Sequence, residues 1–162
     1  MVNIVLKHHQ SINLINMFND LIMRPIDFMS EDFDEVMALR TEVLRKPLNM
    51  VFNEKDIAEE FDSHHIAAFQ EDQLVGCLIL KPVGEGIMKM RQVAVHPDFQ
   101  GKGMGKKLVA YSEMFALQNG VHKIELHARK TAVPFYLSMA YSVVGEEFLE
   151  VGLPHLKMEK KL

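Results

Sequence analysis

The residues best suited to chemistry form a glycine-rich segment whose sequence is Gln100-Gly101-Lys102-Gly103-Met104-Gly105-Lys106-Lys107. It lies between a predicted strand and a predicted helix. Three alternating glycines allow the backbone to turn its N–H groups toward one point, where a helix N-terminus also favours negative charge. The segment therefore predicts a local phosphate-binding site. Its spacing is neither that of a P-loop, G-x-x-x-x-G-K-[ST], nor that of the dinucleotide fingerprint, G-x-G-x-x-G.

The eight histidines do not form a metal-binding pattern. His8-His9 and His64-His65 are adjacent pairs, whereas His122 and His127 are separated by an odd number of residues on a predicted strand and face opposite sides. The sequence contains no H-E-x-x-H motif. We therefore expect no metal site. Cys77 lies in an apolar run and is expected to be a small core residue rather than a nucleophile.

Alternating helical and strand patterns predict the elements that position these residues. The predicted strands are 23–28, 65–69, 74–80, 87–95, 121–127, 141–148 and 156–161, and the predicted helices are 31–46, 54–61, 104–118 and 131–139. Ser30 is expected to cap the first helix, Pro47 to end it and Thr131 to cap the last. Neither face of strand 87–95 is cleanly apolar, which indicates a central, irregular strand. The order predicts a mixed α/β domain with a β-loop-α-β unit in its middle.

Composition narrows the function classes. The chain has 162 residues, of which 48% are hydrophobic and 25% are charged, as in a globular protein with a single core. Its formal net charge of −4 has the wrong sign for a protein whose whole surface binds nucleic acid. No apolar stretch is as long as the roughly 18 residues of a membrane span, and no export signal is evident. With a single cysteine, these features predict a cytoplasmic protein.

We divide the chain into an N-terminal extension, residues 1–22, and one domain, residues 23–162. The extension carries apolar residues at mixed spacing. Together with the 12 methionines, these could supply the interface of a homodimer, although the oligomeric state stays open.

Two separated motifs resemble those of the GNAT family of N-acetyltransferases. Residues 93–105 (VAVHPDFQGKGMG) are similar to the family's acyl-coenzyme A signature, whose Q/R-x-x-G-x-G/A core is met by Gln100, Gly103 and Gly105. Residues 132–136 (AVPFY), followed by Ala140-Tyr141, resemble its A-x-x-F-Y-x-x-x-G-F element. The resemblance covers residues 23–162. It implies a mixed α/β fold with a mostly antiparallel sheet of six or seven strands and helices on both faces.

The resemblance also implies roles for residues of both motifs. The backbone of residues 101–106 would hold the pyrophosphate of coenzyme A, and the strand containing Val93 would have a bulge, splay from the next strand and pair with pantetheine. The Val93 amide would polarise the thioester carbonyl, and Tyr136 would act as the general acid that protonates the departing thiolate. The predicted cofactor-binding residues are Val93, Ala94, Val95, Gln100, Gly101, Lys102, Gly103, Met104, Gly105, Lys106 and Arg129, the last at a position where many members have asparagine.

The acceptor side follows the family pattern less closely. Histone-modifying members place a glutamate base four residues before the position of Val93, where this chain has Lys89, so no general base can be carried over. His155 and Glu150 are the first candidates for orienting or deprotonating the amine, and His65 is the third.

Two arginines at the end of the first predicted helix are candidates for acceptor binding. In this fold that helix end lies beside the acceptor cleft, so Arg40 and Arg45 could bind an anionic group of the acceptor. Alternatively they form a solvated helix end, where the dipole favours cations.

These residues predict an N-acetyltransferase that uses acetyl-coenzyme A and no metal. The acetyl group would pass to a primary amine of a small molecule or peptide by direct attack in a ternary complex. The alternative is a non-catalytic acyl-coenzyme A sensor or assembly module, which keeps the cofactor site without an acceptor site. A regulator of nucleic acid is disfavoured by the net charge and by the lack of aromatic residues among basic ones.

Overall fold

Seven strands form one mixed sheet in this computed structural model, which describes residues 21–162. They are β1 (Leu21–Ile26), β2 (His64–Gln70), β3 (Gln73–Gly84), β4 (Ile87–Val95), β5 (Lys123–Arg129), β6 (Ser142–Glu150) and β7 (Leu153–Lys161). Their order is β1-β2-β3-β4-β5-β7-β6. Every neighbouring pair is antiparallel except β4 and β5, which are parallel. The predicted sheet is thereby confirmed.

Four α-helices accompany the sheet in this part of the chain: α1 (Glu31–Arg40), α2 (Glu54–Ala58), α3 (Met104–Gln118) and α4 (Val133–Leu137). As predicted, the Ser30 side chain caps α1 and accepts a hydrogen bond from the Phe33 amide at 3.3 Å. The regular helix does not continue to residue 46. After Arg40 the chain forms a π-helical turn, Thr41–Arg45, in which the Thr41 hydroxyl donates to the Met37 carbonyl at 2.7 Å.

Other boundaries also differ from those predicted. Helix α2 ends at Ala58, because the Glu60 amide bonds to the Ile57 carbonyl in a tighter turn. The prediction that Thr131 caps α4 is wrong, since a 3₁₀ turn, Lys130–Ala132, leads into the helix without a side-chain cap. Strand β3 continues through Pro82 to Gly84, beyond its predicted end at residue 80. The predicted extension lies outside the described residues, except that Leu21 and Ile22 belong to β1.

Helices cover both faces of the sheet, as predicted. On one face, Leu108 of α3 packs in a core with apolar residues of the central strands, including Met90 and Leu126. On the other face, Phe33 and Val36 of α1 pack in a second core with residues of β2, β3 and β4. The sheet is therefore buried on both sides where it carries the helices.

A bulge in β4 reverses the direction of its side chains. Met90 belongs to the core under α3, whereas Ala94 belongs to the core under α1. Between Arg91 and Ala94 the register with β3 takes up one extra β4 residue, and Gln92 has a φ of 54°. An inserted residue exchanges the two faces of a strand. This explains why neither face of the strand is cleanly apolar in the sequence.

Beyond the bulge β4 separates from β5. Their pairing ends at Met90 and Leu126, although β5 continues to Arg129 with β7 as its partner. The predicted splay is thus present. Because the apolar side chains of β5 face the core under α3, the alternating polar ones, His127 and Arg129, lie on the opposite side of the sheet.

Candidate active site

A cavity of about 570 Å³ opens where β4 and β5 separate. Its walls come from these strands, the π-helical turn after α1, the start of α4 and the turn between β6 and β7. It brings together six of the predicted site residues, namely Arg45, Val93, Arg129, Tyr136, Glu150 and His155. Residues far apart in the chain therefore share one cavity.

Tyr136 reaches the cavity from α4. Its side chain is buried and packs edge-on against Tyr141 and Phe135, with ring centroids 5.6 and 5.0 Å away. Burial raises the pKa of Tyr136 to about 12. The phenol is therefore protonated at neutral pH, and its packing holds an O–H donor against the cavity.

Glu150 lies between two histidines. Its Oε1 atom is 2.9 Å from Nδ1 of His127, and its Oε2 atom is 3.6 Å from Nε2 of His155. Burial acts to raise the pKa of Glu150, but the hydrogen bond with His127 and the surrounding positive charges outweigh it and lower that pKa. Glu150 is therefore a carboxylate at neutral pH and can accept a hydrogen bond from either ring when the ring nitrogen that faces it carries a proton.

His155 has a defined tautomer when it is neutral. Its Nδ1 atom lies 2.8 Å from the Leu153 carbonyl oxygen, which can only accept a hydrogen bond, so Nδ1 carries the proton. The lone pair of the neutral ring is therefore on Nε2, which faces Glu150. The side chain is 5% exposed and lines the cavity, so Nε2 can accept a hydrogen bond from a donor inside it.

Lys89 lines the same cavity. Its Nζ atom lies 3.3 Å from both ring nitrogens of His127. Burial and the nearby charge of Arg91 lower the pKa of Lys89. The cavity thus carries a chain of contacts from Lys89 through His127 and Glu150 to His155.

Two predicted acceptor residues lie outside the cavity lining. Arg40 is fully buried and forms a bidentate ion pair with Glu60, with N–O distances of 2.6 and 2.9 Å. His65 is buried as well, stacks on Phe28 and has Nε2 3.2 Å from the Glu60 carbonyl. In the structure both side chains make internal contacts and do not line the cavity.

The glycine-rich loop leads into α3, and its residues are not among those that line the cavity. Gly101 and Gly103 have φ values of 71° and 79°, and a Cβ at either position would meet no atom within 4 Å. Gly103 is the N-cap of this 15-residue helix and has no side chain that could accept a hydrogen bond. The first N–H groups of the helix, which have no partner within it, are therefore not capped by a side chain. The space and donors that an anion needs are both present.

Other residues of the loop hold it in place. The side-chain amide nitrogen of Gln100 donates to the Val95 carbonyl at 2.9 Å, which ties the loop to the end of β4. A Cβ at Gly105 would lie 3.3 Å from the Phe135 ring, beside Tyr136 in sequence. The loop is thereby packed against the helix that carries Tyr136. Lys102 and Lys106 are exposed and add positive charge at this edge.

Cys77 is buried away from the cavity lining, and burial raises the pKa of its thiol to about 12. Within residues 21–162, no group of three or more histidine, cysteine, aspartate or glutamate side chains is arranged to hold a metal ion. Over the same range, none of the helices combines the length and apolarity needed to cross a bilayer.

Besides Lys89, the cavity is lined by three titratable residues that the sequence did not predict as site residues, namely Arg91, His127 and Asp56. The parallel pairing of β4 with β5 would have indicated the first two, since they directly follow the last paired residues, Met90 and Leu126. Asp56 comes from the short helix α2, whose position relative to the sheet has no signal in the sequence.

Comparison with protein families identifies a similar domain. A family model described as an acetyltransferase (GNAT) domain matches residues 33–162. Among curated proteins, the uncharacterised N-acetyltransferase YjcF of Bacillus subtilis is 30% identical over 131 residues, which cover 80% of this chain and 93% of that protein.

Solved structures of similar fold span nearly the same length. A candidate N-acetyltransferase from Lactobacillus plantarum is 25% identical, with a TM-score of 0.79 over 89% of this chain and 99% of that one. PaiA N-acetyltransferase from Thermoplasma acidophilum, solved in complex with coenzyme A, has a TM-score of 0.68 at 17% identity, over 89% of this chain and 100% of that one.

Proposed function

The chain belongs to the GNAT family and is an acetyltransferase, and on that premise we propose that it moves an acetyl group from acetyl-coenzyme A to a primary amine. The observation that carries the proposal is a single cavity lined by the bulged backbone at Val93, the buried phenol of Tyr136 and the Glu150–histidine cluster. Donor and acceptor would bind together, and the amine would attack directly.

The glycine-rich loop fits the pyrophosphate of coenzyme A. Gly101 and Gly103 leave space beside the backbone, and the N–H groups at the start of α3 would donate to the phosphate. Lys102 and Lys106 would add charge, and β4 from Val93 to Val95 would pair with the pantetheine arm along the edge that β5 leaves open. Arg129 borders the same cavity. When bound, acetyl-coenzyme A supplies the thioester from which the acetyl group is transferred.

The chain's own groups would then act on the reacting atoms. The Val93 amide would donate a hydrogen bond to the oxygen that becomes negative as the amine attacks. The Tyr136 O–H would donate to the departing sulfur, because burial keeps this phenol protonated at neutral pH.

Glu150 and His155 would prepare the amine. An alkyl ammonium group has a pKa near 10, so it must lose a proton before it can attack. The carboxylate would hold the ammonium group, and Nε2 of His155 would accept its proton. Arg40 and His65 are left out of this proposal because their side chains are occupied elsewhere.

The proposal is tested by following free-thiol release from acetyl-coenzyme A across amino acids, amino sugars, polyamines and peptides. Turnover with at least one class, with intersecting initial-rate lines, is expected for a ternary complex. Cys77→Ser is the matched control and should retain full turnover, since no covalent intermediate is formed. Tight coenzyme binding without turnover on any class would instead identify a sensor.

A further inference from the structure

Three arginines reach the cavity from three different elements. Arg45 ends the π-helical turn after α1, Arg91 precedes the bulge of β4, and Arg129 is the last residue of β5. Nη1 of Arg45 and Nη2 of Arg129 each lie 3.4 Å from the Leu44 carbonyl oxygen, so these two guanidinium groups meet at one point of the wall. Such long contacts to one neutral oxygen leave most of their N–H donors available.

These cavity arginines differ from the others in the described residues. Arg24 pairs with Asp32 at 2.8 Å, and Arg40 pairs with Glu60 at 2.6 Å. In contrast, none of the three cavity arginines has a carboxylate oxygen within 4.0 Å among residues 21–162. The fold pairs its arginines elsewhere and leaves them unpaired in the cavity.

The positive charge of these three arginines is not balanced by the acidic side chains around them. Burial lowers the pKa of Arg45, and the positive charges of Arg40, Arg129 and Arg91 lower it further. The attraction of Asp56 opposes this only weakly. An anion bound between the guanidinium groups would remove the repulsion, and it would gain charge-assisted, bidentate hydrogen bonds.

The remaining lining favours a carboxylate over a phosphate as this anion. Asp56 and Glu150 border the same cavity and would repel a dianion more strongly than a monoanion. The cavity, at about 570 Å³, must also hold the acetyl end of the donor, so only a small acceptor group fits inside it.

Resting on the proposed function above, we propose that the acceptor is a small primary amine that carries a carboxylate group. Arg45 and Arg129 bind the carboxylate from the wall of the cavity, which assigns Arg129 to the acceptor instead of the coenzyme, and Arg91 lines the same cavity from β4. The amino group then lies toward Glu150 and His155. Polyamines and unmodified lysine side chains of proteins carry no such anion and are poor substrates.

The first test compares matched amines on the wild-type enzyme by thiol release. Each set holds an amino acid, its carboxamide, the amine without the carboxyl group, and the phosphonate analogue. The amine with the carboxylate should exceed the two analogues that lack this charge in kcat/KM by about 10- to 100-fold, the range expected for a lost charge-assisted hydrogen bond.

Equal or faster turnover of the carboxamides, the decarboxylated amines or polyamines overturns the inference while leaving the acetyltransferase proposal intact. A preference for phosphonates assigns the cluster to phosphate esters and overturns the carboxylate. Absence of turnover with every amine contradicts the proposed function itself.

The second test uses Arg45→Gln, with Arg24→Gln as a control outside the cavity. Arg45→Gln should raise KM for the carboxylate substrate about tenfold or more and abolish the preference over its carboxamide, with KM for acetyl-coenzyme A unchanged. Arg24→Gln should change neither value. An increase confined to KM for acetyl-coenzyme A would assign Arg45 to the coenzyme and overturn the inference. If Arg45→Gln does not fold, the acid-to-carboxamide ratio of the wild-type enzyme decides alone.

Discussion

Replacement of Glu60 by glutamine tests the role that the structure gives to Arg40. Arg40 is fully buried and Glu60 is 5% exposed, and two hydrogen bonds of 2.6 and 2.9 Å join them. Glutamine keeps the shape and one acceptor but removes the charge, which leaves a buried guanidinium without a counter-ion. Breaking a buried pair costs about 3 to 5 kcal/mol. Because the amide oxygen still accepts one hydrogen bond, we expect a loss of about 3 kcal/mol, at the lower end of that range.

The assay is thermal unfolding of the full chain followed by circular dichroism. For a chain of this size the loss corresponds to a fall in Tm of about 6 to 12 °C. Glu42→Gln is the matched control, because Glu42 pairs with Lys46 at 3.0 Å on side chains that are 57% and 70% exposed. Such a pair contributes about 0.5 kcal/mol or less. If Glu60→Gln lowered Tm no more than Glu42→Gln, the assignment of Arg40 to a stabilising buried pair would be refuted.

Three further predictions concern the loop, the carboxylate and the cysteine. Gly103→Ala should lower the free energy of unfolding by about 1 kcal/mol, because alanine is strained in a left-handed backbone, and it should also weaken coenzyme A binding measured by calorimetry. The control Gly120→Ala has a similar φ of 75° at the far end of α3 and should lose stability without weakening coenzyme A binding. Because its pKa in the folded chain is lowered, Glu150 should stabilise the fold above the ordinary carboxyl pKa of 4.5 and stop doing so as the pH falls through its lower folded value. The pH dependence of Tm below 4.5 should therefore be shallower in Glu150→Gln, and an identical dependence would contradict the described contacts. Cys77 should react with a thiol reagent only when the chain unfolds, because its thiol is buried. Rapid labelling of the native protein would contradict this buried position.

Patterns within short segments predicted the parts of the fold that depend on local physics. Strand 87–95 and helix 104–118 have the bounds expected, because the helix starts at a glycine-rich loop and ends near Asn119-Gly120. The helix after Ser30 also begins as its capping residue indicates. Its change to a π-helical turn at Thr41 was not predicted, since hydrophobic spacing does not distinguish the two helix types.

Long-range packing determined the parts of the site that the sequence did not predict. Arg40 and Arg45 are separated by little more than one helical turn in the sequence and look alike there, yet only Arg45 lines the cavity. The difference arises from Glu60, which lies on a separate segment and pairs with Arg40. His127 was missed for a related reason, because its partner Glu150 comes from another strand.

Tyr136→Phe gives the most direct test of the central claim that this chain catalyses acetyl transfer with a phenol as the general acid. With acetyl-coenzyme A and a turned-over amine, kcat should fall by about 10²- to 10⁴-fold across the pH range, since the proton donor for the sulfur is lost. The Kd of coenzyme A should stay within about twofold of the wild-type value, because the loop and β4 are unchanged. Tyr111→Phe, a control on α3, should behave as the wild type. Unchanged turnover of Tyr136→Phe at every pH would contradict the mechanism proposed for this cavity.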